Sequence, residues 1–163
     1  MAKTVPCRPL TANDSSAKGA VGVLFTREGK SYRYYKVKDS ALAVNNVVEY
    51  STTAGAVTID RSGGSSVGRE AAGVAVGTVT AGYYGWVQVA GTCSVTVPAK
   101  GVVSAGNRLI PHPTTNGGVS STLTYTITTT IGTVHNVFAT ALDADTATTS
   151  GAGTVSVVLT RAM

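Results

Sequence analysis

The sequence predicts an all-β fold: a single β-sandwich or β-barrel domain, jelly-roll-like, preceded by an extended N-terminal arm. Three observations predict it. Valine and threonine are the commonest residues, glycines and prolines cut the chain into short segments, and no helical pattern longer than a turn or two can be defended. Beta-branched side chains are stiff in a helix and fit a pleated sheet. Short runs of them, regularly spaced between turn residues, are the pattern of a sandwich or barrel.

Residues 1–20 contain Pro6, Pro9, Ser15, Ser16 and Gly19 among small and polar residues, and read as an arm of the kind that frays unless a partner pins it. Residues 21–163 read as one β-rich domain. VGVLFT (21–26) is a first strand, Glu28-Gly29-Lys30 its turn and YRYYKVK (32–38) the returning strand. NVVEYSTT (46–53) and AVTID (56–60) pair around Ala54-Gly55, and Arg61 to Gly68 is a Ser/Gly loop. VAVGTVT (74–80) follows, then an AGYYG turn, then WVQVAG (86–91) and TCSVTVP (92–98) as two strands. RLIP (108–111) leads into a loop marked by Pro111, Pro113, Asn116 and Gly117. TLTYTIT (122–128) alternates strictly, with Leu123, Tyr125 and Ile127 on one face and four threonines on the other. VFATALD (137–143) and TVSVVLTR (154–161) complete the set.

At 163 residues the chain can bury roughly two-thirds of the surface its unfolded form exposes. Only 13% of its residues are charged, where about a quarter is usual. A domain with so few charges gains solubility from a permanent partner surface. The net charge of +5 is lopsided: residues 1–69 carry ten Lys/Arg against five Asp/Glu, and residues 70–163 carry three against three. The first half therefore holds whatever electrostatic recognition exists. The start, MAKTVPCRPL, lacks an apolar h-region, and no run of about 18 apolar residues occurs, so neither a secretory signal nor a membrane-spanning helix is expected.

Chemistry-bearing residues are sparse. Cys7 and Cys93 are expected to stay reduced in a cytosol, a disulfide between them being the alternative, and they do not have zinc-knuckle spacing. Cys93 alternates with Val95 and Val97 as a small buried hydrophobe would, which argues against a thiol nucleophile. His112, between prolines, and His135 have no ligand at metal spacing. Asp143 and Asp145 form a DAD pair without the further acids of a calcium loop. No metal, cofactor or catalytic residue is expected.

The dense cluster is Lys30, Tyr32, Arg33, Tyr34, Tyr35, Lys36 and Lys38. Basic side chains interleaved with aromatics could hold single-stranded nucleic acid through phosphates and base stacking. Alternation puts Tyr32, Tyr34, Lys36 and Lys38 on one side and Arg33, Tyr35 and Val37 on the other, so neither face is purely basic. A charged edge strand or a protein contact is the preferred reading.

The stretch VGREAAGVAVGTVTAGYYGWVQVAGTCSVTV…VVSAGNRLIPHP, with the ending VFATALDADTATTSGAGTVSVVLTR, resembles the small cement, or decoration, proteins on the heads of tailed bacteriophages. Tyr84-Gly85-Trp86-Val87-Gln88 matches the family's YGWVQ-like strand. Ser104-Ala105-Gly106-Asn107-Arg108-Leu109 matches its AGD.L turn, with Asn107 where an acid is common, and Phe138 to Asp143 stands for its last motif. The match covers roughly residues 67–111 and 137–160. It implies a non-enzymatic virion protein on the capsid exterior, made in the host bacterial cytoplasm, that clamps neighbouring major capsid subunits. A homotrimer is the implied assembly, a dimer the alternative, with no cofactor, no membrane and no nucleic acid.

On that reading the capsid-contact candidates are Lys3, Arg8 and Lys18 of the arm and Lys30, Arg33, Lys36 and Lys38 of the basic strand. The subunit-interface candidates are Tyr83, Tyr84 and Trp86, if they reach the surface, and the threonine face Thr122, Thr124 and Thr126, whose hydroxyls cost less to desolvate than charges. Two other classes stay open: a nucleic-acid-binding β-barrel using residues 30–38, and a tail or adhesin module binding sugars in an aromatic groove.

Overall fold

The computed structural model describes residues 9–59, 70–99, 101–112, 114–121, 137–145 and 151–160. They hold ten strands: β1 (Leu24–Arg27), β2 (Lys30–Val37), β3 (Val47–Tyr50), β4 (Ala56–Thr58), β5 (Ala71–Ala75), β6 (Tyr84–Val97), β7 (Arg108–Pro111), β8 (Val119–Ser121), β9 (Ala139–Ala141) and β10 (Gly153–Leu159). There is no helix among the described residues.

The strands β2, β4, β3, β5 and β6 pair in that order, and β6 returns to β2, closing a five-stranded barrel. Its pairings are antiparallel except that β2 and β4 run parallel through Lys36↔Ala56 and Val37↔Val57. The second half of β6 leaves the barrel and pairs with β10 from Gly91↔Leu159 to Val97↔Gly153, and β9, β7 and β8 extend that sheet. One strand thus belongs to both units. β1 lies along the edge of β2 opposite β6, joined to it by the Glu28-Gly29 turn. Both turn residues have positive φ, at 52° and 74°, which is the two-residue type I′ geometry that matches strand twist.

Three apolar clusters follow from this arrangement. The barrel interior is filled by Tyr35, Val37, Leu42, Val48, Val57, Ala72, Ala75, Val79 and Val87. A second core lies between the outer face of β3 and β5 (Val47, Ala71, Val74) and the flanking sheet, which supplies Val95, Val97, Leu109, Phe138, Val155 and Val157. A third, aromatic cluster covers the outer face of β2 and β6, with Tyr32, Tyr34 and Trp86 at its centre. Each fully buried valine contributes about 1.5–3 kcal/mol of transfer free energy. The strands β3 and β5, β6 as far as Val89, and β2 apart from exposed Lys36 are therefore buried on both faces, which is why these stretches lack a clean apolar–polar alternation.

Several sequence expectations shift. WVQVAG and TCSVTVP are one 14-residue strand, not two. Gly91, at φ 90°, turns the chain within the strand, and an added Cβ there would meet the Gly29 carbonyl at 2.9 Å. The first strand starts at Leu24, since Val21-Gly22 is a turn with Gly22 at φ 81°. The strand expected at 74–80 lies earlier, at Ala71–Ala75, and Val79 keeps only a bridge to Leu42. β2 is not an edge strand: it is paired on both sides. The threonine strand 122–128 lies outside the described residues.

Candidate functional site

The arm's described part, residues 9–20, runs against the barrel wall. Asp14 bridges Tyr84 through reciprocal backbone bonds of 3.0 and 2.8 Å, and its Oδ2 accepts a 2.9 Å hydrogen bond from the Tyr34 hydroxyl. Asn13 clasps Thr80, its Oδ1 accepting from the Thr80 amide at 3.0 Å and its Nδ2 donating to Oγ1 at 3.1 Å. Leu10 packs on the aromatic cluster beside Val23, Phe25 and Val76. Within that cluster the Tyr34 and Trp86 rings are 5.2 Å apart, Phe25 and Trp86 5.9 Å, and Tyr34 stacks on Tyr84 at 5.9 Å.

This packing decides what the aromatic residues can do. Trp86 is 4% exposed and does not reach the surface; its indole N–H is buried with no hydrogen-bond partner. Tyr32, Tyr34 and Tyr35 are at most 6% exposed, so no base could stack on them without unpacking the wall. The same burial leaves Trp86 and the β2 tyrosines no part in an aromatic sugar groove. Tyr83 and Tyr84 are half-buried, and of the interface candidates among the described residues only these two have ring surface to offer.

The cations are dispersed. Lys36 is exposed, with its Nζ 5.9 Å from the centre of the Tyr84 ring, a cation–π contact. Lys38 pairs with Asp39 at 3.6 Å, Arg27 with Glu28 at 3.0 Å, and Lys18 stands exposed on the arm. Lys30 and Arg33 are half-buried, and Arg33 lies on the face of β2 that carries Tyr35 and Val37, with its Nε buried and unpartnered. Lys3, Arg8, Thr122, Thr124 and Thr126 lie outside the described residues.

The titratable groups serve packing. At the barrel interior the Tyr35 and Tyr50 hydroxyls meet at 3.3 Å, and burial together with that bond pushes Tyr50 up to about 12. Burial pushes the Cys93 thiol up to about 12 as well, against a small opposing pull from Lys30. A thiol so protonated is no nucleophile at neutral pH. His112 Nδ1 accepts from the amides of Thr114 and Thr115 at 3.3 and 3.0 Å, the geometry of a turn cap. Asp143 Oδ1 accepts from the Ser156 amide at 2.9 Å, and the Asp145 carboxylate lies over Gly153. Among the described residues no three His, Cys, Asp or Glu side chains gather as a metal site. His135 lies outside them.

Sequence reasoning missed Asp14 and Asn13, whose only signal was that both are residues favoured in turns and bridges. It also missed Gln88, buried at 3%, whose Nε2 donates to the Ala90 and Thr92 carbonyls at 3.1 and 2.9 Å and so satisfies the backbone at the Gly91 bend. Glu49, 3% exposed in β3, carried no signal at all.

Two of the three segments that resemble decoration proteins, 104–109 and 138–143, meet in space. Ser104–Leu109 forms the turn into β7, and its Gly106 amide donates to the Ala141 carbonyl while the Ala141 amide donates to Asn107, at 2.9 Å each. β9 then pairs β10, and β10 pairs Gly91–Val97 of β6, while Tyr84–Gln88 of the same strand stay in the barrel against β2 and β5. No family model and no curated protein matches the sequence. Among solved structures the chain is similar to the head fiber gp8.5 N base of bacteriophage phi29, at 18% identity and a TM-score of 0.48, covering 80% of this chain and 94% of that one.

Proposed function

We propose that this chain is a non-enzymatic structural protein of a bacteriophage virion, a decoration protein that binds the outside of the head and clamps neighbouring major capsid subunits. The resemblance over residues 67–111 and 137–160, two of whose segments, 104–109 and 138–143, are joined by the Gly106–Ala141 and Ala141–Asn107 bonds, carries this reading. A closed barrel sharing a strand with a second sheet is stiff, as a clamp under internal pressure has to be. The exposed cations Lys18 and Lys36, with half-buried Lys30 and Lys38, face an acidic shell in this reading, Arg33 being turned to the barrel interior, and Tyr83 and Tyr84 contribute to contacts between protomers. A homotrimer is the assembly proposed, each protomer burying about 800 Å² against its neighbours. Many copies around one shell give avidity from modest single contacts.

The test is co-sedimentation of the purified chain with expanded, undecorated heads of the source virus, at rising salt. Saturable binding that weakens as ionic strength rises is the expected result. A chain that stays in the supernatant at every salt concentration would overturn the proposal.

A further inference from the structure

The hairpin β1–β2 leaves one row of backbone groups with nothing to bond among the described residues. In a two-residue turn the flanking pair Arg27↔Lys30 exchanges both ladder bonds, so alternate pairs outward do the same. Phe25↔Tyr32 is therefore a bonded pair, and Thr26↔Ser31 and Leu24↔Arg33 are not. The close approach of the Thr26 and Ser31 hydroxyls, 3.3 Å, fits the narrow non-bonded spacing. The N–H and C=O of Leu24 and Thr26 consequently point away from β2. Among the described residues β1 ends the strand order, and neither residue's backbone has a further hydrogen bond.

Natural sheets blunt such edges with charge, proline or a covering segment. Here Leu24 and Thr26 are uncharged and exposed, Leu24 at 49%, and Val21 beside them is exposed at 40%. The charges nearby are of one dominant sign. From Leu24 to Arg33 the hairpin carries Arg27, Lys30 and Arg33 against Glu28, three minus one, or +2. A second copy would bring an identical +2 hairpin alongside, whereas an acidic strand would neutralise it.

We propose that the outer edge of β1 is a docking edge that takes up an extended, acidic segment of another protein as an added strand. Main-chain bonds to Leu24 and Thr26 supply the affinity, and Lys30, with Arg27 once it exchanges its weak exposed pair with Glu28 for the incoming acid, selects the charge, the division of labour seen when a peptide augments a sheet. The edge is a property of the hairpin and holds whether or not the chain belongs to a virion.

The experiment uses the full chain labelled with ¹⁵N and a synthetic decapeptide of alternating valine and glutamate. Three comparisons accompany it: a valine/lysine peptide, a backbone N-methylated valine/glutamate peptide, and the chain variant Thr26→Pro. Position 26 donates no bond to the β1–β2 ladder, so proline there removes an outward N–H alone. The amides of Leu24 and Thr26 are expected to exchange freely in the isolated chain and to become protected by the valine/glutamate peptide. Thr26→Pro is expected to weaken that peptide at least tenfold while Phe25 and Tyr32 stay protected, and the N-methylated peptide is expected not to bind. The N-methylated peptide interrogates the same contact should Thr26→Pro disturb the hairpin.

Equal binding of the N-methylated peptide, or of the valine/lysine peptide, overturns the proposal. So does an absence of new protection at Leu24 and Thr26. Protection of those amides with rising chain concentration and no peptide present would assign the edge to a second copy instead.

Discussion

The hydroxyl of Tyr34 donates to the carboxylate of Asp14 across 2.9 Å, tying a segment twenty residues upstream to the outer wall of the barrel. Tyr34 is 2% exposed and Asp14 half-buried, so the bond is partly shielded from water. The Lys18 amide lies 3.4 Å from the Tyr34 hydroxyl oxygen, and further ties of the segment include the Asp14–Tyr84 bridge, the Asn13–Thr80 clasp and the packing of Leu10.

Tyr34→Phe keeps the ring and deletes the bond to an ionised acceptor. A loss of about 1.5–3 kcal/mol is expected, read as a lower urea midpoint. Hydrogen exchange should quicken at the Tyr84 amide, which bonds to Asp14, before it quickens in the barrel interior. Asp14→Asn, which retains an acceptor, should cost less than Tyr34→Phe.

Trp86 is the single tryptophan and reports on the aromatic cluster. Its emission should be blue-shifted and resist acrylamide quenching in the native chain, and should shift red on unfolding. Trp86→Ala should cost about 3–5 kcal/mol of stability, the range for deleting a large core ring. Strong quenching of the folded chain would place the indole at the surface, contrary to its 4% exposure.

Two glycines carry conformations that other residues resist. Gly73, at φ 142° beside the register shift between β3 and β5, would push a Cβ into the Gln88 carbonyl and the Val87 side chain. Gly91 would push one toward the Gly29 carbonyl, a backbone atom that cannot swing aside. Gly91→Ala is expected to cost about 1–3 kcal/mol and Gly73→Ala more, measured by thermal and urea unfolding. If Gly73→Ala were the milder of the two, the β5–β6 contact would be looser than described.

Cys93 and Tyr50 set an alkaline limit on stability. The unfolded thiol ionises near 9.0 and the folded one near 12, so between those values the folded state holds a proton that the unfolded state has released. Stability contributed by the protonated thiol is complete below pH 9 and is lost as pH rises toward 12. The slope for this group is at most about 1.4 kcal/mol per pH unit. Tyr50, raised from 10.0 to about 12, acts in the same direction above pH 10. Urea midpoints of a Cys7→Ser variant should be level from pH 7 to 9 and decline above it, and Cys93→Ala should flatten the early part of that decline. In the same background Cys93 should react with thiol reagents at pH 8 far more slowly than the unfolded chain does.

How much of this was readable from the residues varies by element. The pairing around Ala54-Gly55 and the strand at Arg108–Pro111 stand where the punctuation put them, and the turn expected at Glu28-Gly29-Lys30 is there but one residue shorter, Lys30 already pairing Arg27 as the first residue of β2. Gly91 misled because a glycine inside a β-branched run reads equally as a break or as a bend, and only the Gly29–Lys30 backbone pressed against it decides which. The face assignment of β2 held, but burial on both faces was invisible: alternation separates a wet face from a dry one and is silent when both are dry. The tyrosines of that strand consequently looked available when they are packed. The open edge of β1 has no compositional signature, since it depends on which strands are absent beside it.

A strand held jointly by the barrel and the flanking sheet also fixes how the molecule bears load. Tension applied along β6 runs parallel to its length, so the ladders to β2, β5 and β10 resist in shear, many bonds at once. Peeling them one at a time would require a pull across the strand. A chain built this way yields abruptly or not at all when stretched along that axis, and softens only when tugged from the side.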